Sequence, residues 1–121
     1  MNLTDIHSRL AIAMLIFSAV AGIWGLVIYF RRGSIGGNYW GILASGELLF
    51  VAQALLGVVM YLQGDRPGRT IHLLYGAVAA LTVPAVFALT GGRDDRRSAL
   101  TYGLVMLFLF GISLRAMGTG A

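Results

Sequence analysis

The sequence has no cysteine and no lysine, and it contains only two histidines, two prolines and five acidic residues. Without cysteine the chain can form no disulfide, thiolate metal site, iron–sulfur cluster or cysteine nucleophile. All nine basic residues are arginine, a bias to which no function attaches. No Walker-type or dinucleotide-binding loop, hydrolase elbow or paired-histidine zinc helix is present, which removes the usual nucleotide and hydrolytic chemistries. Charged residues make up 12% of the 121 residues, whereas a soluble domain carries about a quarter. The net charge of +4 sits in short polar segments, in a pattern that marks membrane topology and headgroup contact and offers no basic, aromatic-interleaved surface for nucleic acid.

What fills the chain is apolar. Hydrophobic residues reach 58%, and the mean hydropathy is +0.81. A bilayer core of about 30 Å needs roughly 20 apolar residues in a helix. Four stretches meet that length: about 6–30, 39–63, 69–90 and 96–117. Thr4 and Asp5 are candidate caps for the first, and Arg31-Arg32-Gly33 ends it. Gly36-Gly37-Asn38, Asp65-Arg66-Pro67-Gly68 and Gly91-Gly92 punctuate the rest. Ala19-Val20-Ala21 resembles a signal cleavage site, but the apolar run continues to Phe30, beyond a signal-peptide core, and reads as a retained span. Short connections make neighbouring helices antiparallel. The expected fold is therefore all-α: a single transmembrane domain, 1–121, forming an up-down-up-down four-helix bundle.

Tyr29, Tyr39, Trp40 and Tyr102 are expected at one membrane interface, where amphipathic rings prefer to sit. Arg31, Arg32, Arg93, Arg96 and Arg97 lie on that side, against Arg9, Arg66, Arg69 and Arg115 on the other. The imbalance favours both termini outside, in a bacterial inner membrane. A faint tandem repeat at a shift of 65 places Ile6-His7 on Ile71-His72 and Arg31-Arg32 on Arg96-Arg97.

His7 and His72 each open one of two parallel spans, so both imidazoles fall at one depth. The face below His7 continues through Ala11, Met14, Ser18, Ala21 and Gly25, and that below His72 through Gly76, Ala79 and Val83. Such small faces allow close packing or admit a flat macrocycle. Two imidazoles meeting on the bundle axis are what bis-histidine haem ligation requires. Arg9 and Arg69, on the same side, are candidate partners for haem propionates; their bland alternative is snorkelling to headgroups. A zinc or copper site would have only Asp5 and Asp65 nearby as further ligands.

Glu47 is the only acidic residue well inside a span. Carboxyl groups there are costly and face a bundle interior or cavity. A proton relay, a quinone contact and a hydrogen bond to a neighbouring helix all satisfy that position. Pro84, inside the third stretch, removes a backbone donor and is expected to kink it.

This layout resembles membrane b-type cytochromes, both the cytochrome b561-like bundles and the haem-anchoring subunits of respiratory enzymes. The resemblance rests on His7 and His72 at matched depth on small-faced helices, with His7-Ser8-Arg9 similar to the His-Arg pairing of the anchors. It implies one haem b held by His7 and His72, and electron transport to or from quinone or a larger respiratory or photosynthetic complex of membrane subunits. A b561-like core carries a second histidine pair at the other face, which this chain lacks. Four short spans with one membrane carboxylate also resemble small multidrug-resistance transporters, although their glutamate is in the first helix and Glu47 is in the second. Two further expectations follow: a cofactor-free accessory subunit, or a proton-coupled transporter built on Glu47.

Overall fold

The computed structural model describes residues 2–120. Four long helices account for nearly all of them: α1 (Leu3–Phe30), α2 (Gly37–Leu62), α3 (Ile71–Thr90) and α4 (Arg96–Thr119). All four are long and apolar enough to cross a membrane.

The helix limits follow local chemistry. Asn2, rather than Thr4 or Asp5, caps α1; its side chain accepts from the Asp5 N–H at 2.9 Å while Asp5 accepts in return from the Asn2 N–H. This reciprocal pair satisfies two otherwise orphaned donors. Asp95 caps α4 by accepting from both the backbone N–H and the hydroxyl of Ser98. Those two bonds hold the Asp95 carboxyl below its ordinary value. Gly91, with φ of 63°, ends α3 in the left-handed region that favours glycine. The helix runs unbroken from Ile71 to Thr90 through Pro84.

α1 packs on α2 and α4, and α3 packs on the same two helices, while α1 and α3 sit across the bundle axis from each other. Loop contacts define two ends. At one, the Ile35 N–H donates to Asp94 O at 2.7 Å and Arg96 Nε donates to Tyr29 O at 2.7 Å. At the other, the Arg69 N–H donates to Thr119 O at 3.0 Å and the Thr4 hydroxyl to Asp65 at 3.4 Å. We refer to these as the tyrosine end and the histidine end.

Backbone contact organises the tyrosine end. A Cβ built on Gly25 would lie 2.7 Å from Gly103 Cα, and one on Gly103 would lie 2.9 Å from the Leu26 nitrogen. Small residues are therefore obligatory where α1 crosses α4. Tyr39 and Tyr102 are fully buried here rather than spread along an interface. Tyr39 Oη donates to Ala21 O at 2.7 Å, and the Trp40 ring meets both Tyr102 and Phe87 edge-on. The position these aromatics share is an end of the bundle, as expected, but packing inside it has claimed two of them. A buried phenol needs a partner for its hydroxyl, and the backbone carbonyl of α1 supplies one.

Apolar side chains also cover the outside. Leu89 is 83% exposed, Leu62 78% and Leu48 71%. A helix that is apolar all round belongs in a large core or a membrane.

Candidate functional site: the histidine end

His7 and His72 are both half-buried, and their ring centroids stand 6.2 Å apart with planes at 67°. They reach this distance from helices that do not touch, so the pair spans the bundle axis. The inward face expected for α1 is the observed one, since Met14, Ser18, Ala21 and Gly25 are buried. The same holds for Ala79 and Val83 on α3.

The two rings are held differently. His72 Nδ1 lies 2.9 Å from Ala116 O and 3.2 Å from the Thr119 hydroxyl. A carbonyl only accepts, so Nδ1 carries a proton and donates to Ala116 O. Gly120 makes room for this arrangement: a Cβ there would come within 2.9 Å of His72 Cε1. His7 is anchored through its backbone, whose carbonyl accepts from Gln53 Nε2 at 2.7 Å. Its Nδ1 is buried with no hydrogen-bond partner in the protein. Gly57 of α2 faces the ring, with a built Cβ 3.7 Å from His7 Cε1.

The arginines are less closely engaged. Arg9 is exposed and sits two residues beyond His7, about 200° round the helix. Arg69 is also exposed, but its backbone N–H bonds Thr119 O, beside the hydroxyl that touches His72. Among the described residues no three His, Cys, Asp or Glu side chains gather as a metal-ligand group. A zinc or copper ion would therefore have two imidazoles and no third ligand of that kind.

Glu47 lies on α2, with both carboxyl oxygens buried and unpartnered in the protein. It falls seven residues, close to two turns, beyond Trp40, on the stripe that faces α3 and α4. The structure therefore does not bring Glu47 to the histidines; it sits deeper in the bundle. Gln53 lies between the two levels.

Ala116 O, Thr119 and the Gln53 contact with His7 went unidentified from sequence. The first two depend on the α2–α3 loop being tied to the end of α4, a contact no local pattern encodes. A surface depression of about 350 Å³ lies at the tyrosine end beside Trp24, Ile28 and Asn38. It contains none of the candidate residues. No protein-family model, curated protein or solved structure matches the chain.

Proposed function

We propose that the chain lies in a membrane as an up-down-up-down bundle and acts there as a b-type haem subunit. It would pass electrons to or from quinone or a larger membrane complex. The observation that carries this reading is the spacing of His7 and His72. His7 and His72, drawn from α1 and α3, would hold the iron between them, and they are the only histidines in the sequence. The observed separation is 6.2 Å. Haem needs only two protein ligands because the macrocycle supplies the other four, so the lack of a third side chain is no obstacle.

When bound, haem would supply one-electron redox chemistry. The chain's own residues have defined tasks. Ala116 O and Thr119 fix the His72 ring and its tautomer, the kind of outer support that orients a ligating imidazole. Gly57 and Gly76 leave space beside the rings. Arg69, at the mouth, is better placed than Arg9 to pair with a propionate. Glu47 is available as a proton or quinone contact. Apolar outer faces fit both lipid and neighbouring membrane subunits. Five arginines on one side against four on the other support an orientation with both termini outside, in what we read as a bacterial inner membrane.

Absorption spectra of the oxidised and dithionite-reduced protein, purified after expression with haem supply, test this reading. A sharp reduced b-type band is expected, lost in both His7→Ala and His72→Ala. A folded, colourless wild-type protein would overturn it. One observation favours a second reading: the orphaned Glu47 oxygens suit a proton-coupled transporter. That reading predicts pH-dependent ligand binding abolished by Glu47→Gln and retained in both histidine variants.

A further inference from the structure

Five buried side-chain atoms lack a partner among the described residues: His7 Nδ1, Gln53 Oε1, Ser113 Oγ and the two Glu47 oxygens. Two of them belong to residues that already touch. Gln53 Nε2 donates to the His7 carbonyl at 2.7 Å, and the Gln53 side chain lies within reach of the His7 ring as well. A backbone carbonyl only accepts, so this bond fixes which end of the Gln53 amide is nitrogen. Oε1, on the same carbon, is left as a free acceptor beside His7.

The ring lies over the same face of α2. Gly57 is one turn beyond Gln53, and residues four apart share a helix face. A Cβ built on Gly57 would stand 3.7 Å from His7 Cε1, the ring atom bonded to Nδ1. Nδ1 and Oε1 are both shielded from solvent, where an unmade bond is costly and a made one is strong. They are also complementary, because a neutral imidazole can donate from Nδ1 and an amide oxygen accepts. The torsions that aim them, χ2 of histidine and χ3 of glutamine, are broad. The two atoms can therefore meet with both backbones in place.

His72 shows the counterpart, with its Nδ1 donating to Ala116 O at 2.9 Å. That ring takes its support from α4; the other has only α2 to supply it.

We propose that Gln53 is the positioning residue of His7: its Oε1 accepts from the His7 Nδ1–H and leaves Nε2 as the nitrogen open to a metal. One amide then sets both the backbone and the ring of His7. The hydrogen bond belongs to the folded chain itself, while its consequence for a cofactor rests on the haem reading above. Removing such a partner from a ligating imidazole typically costs about 10–100-fold in metal affinity.

His7 and His72 are the only histidines in the sequence, so ring-¹⁵N-labelled histidine gives one set of nitrogen signals for each. Spectra are recorded on the full-length, haem-free protein in detergent, at a pH where both rings are neutral. In the wild type the His7 proton should reside on Nδ1. Gln53→Met keeps the bulk but removes the acceptor, and should move that proton to Nε2 without changing the His72 signals. Gln53→Glu keeps an acceptor but removes the amide donor, and should leave the proton on Nδ1. A role confined to the bond with the His7 carbonyl would make the two variants alike, and that result overturns the proposal. So does a wild-type His7 protonated on Nε2. Haem titration separates this proposal from the reading beneath it. Gln53→Met should weaken saturable uptake about 10–100-fold, and an unchanged affinity overturns the positioning role. A wild-type chain that takes up no haem overturns the haem reading and leaves the Nδ1 result standing.

Discussion

At the tyrosine end, Gly25 and Gly103 bring two backbones into contact, Tyr39 and Tyr102 are fully buried, and the buried hydroxyls have partners. At the histidine end Gly57 and Gly76 have room for a Cβ, both histidines are half-buried, and His7, Gln53 and Ser113 have unpaired side-chain atoms. One end is held by backbone-to-backbone packing, and the other leaves polar side-chain atoms unpaired in the protein. The tightest packing and the candidate site are separated along the bundle axis. The tyrosine end fixes the helix crossing, and the histidine end carries the paired imidazoles. Natural sequences depart from full polar satisfaction where a site needs it, and the departure here is confined to half the axis.

Substitutions that fill space should break the two ends unequally. Gly103→Leu should abolish stable folding, and Gly103→Ala should cost about 1–3 kcal/mol, because the backbone of α1 lies where the new atoms must go. Equilibrium unfolding in mixed detergent micelles measures both. Tyr39→Phe should cost about 1 kcal/mol in the same assay through loss of the bond to Ala21 O. Gly76→Ala should instead stabilise the haem-free protein by roughly 0.5–1 kcal/mol, since a helical glycine is replaced where space is open. A loss at Gly76 as large as that at Gly103 would erase the distinction between the ends.

The smallest effect concerns the α4 cap. Ser98 holds the Asp95 carboxyl below its ordinary value of 3.8. The cap's contribution is therefore fully present above that value and is lost as pH falls through the lower folded value. The melting-temperature difference between wild type and Asp95→Asn should be constant near neutrality and narrow only in that acidic range. A difference already changing near neutrality would contradict the assigned cause.

The four helices were legible because apolar length needs no tertiary information, and so were the inward stripes of α1 and α3. Pairing His7 with His72 needed only their matched depth and the parity of the spans. Other features depended on contacts between distant segments. Thr119 reaches His72 because the backbone N–H of Arg69 bonds its carbonyl. Tyr39 and Tyr102 read as interfacial residues until a carbonyl of α1 and a hydroxyl of α3 were seen to satisfy them inside. The shift of 65 makes His7 and His72 equivalent in sequence, yet one ring has a carbonyl at its Nδ1 and the other has none. Equivalence of position did not extend to equivalence of surroundings, because α4 ends beside His72 and α2 passes beside His7.

The most direct test of the histidine end as the working end is a titration of haem into the haem-free chain, followed by absorbance. Saturation at one haem per chain is expected, with a low-spin, bis-histidine spectrum abolished by either histidine substitution and retained in Tyr39→Phe. Unsaturable uptake, or saturable binding that survives loss of both His7 and His72, would contradict the account.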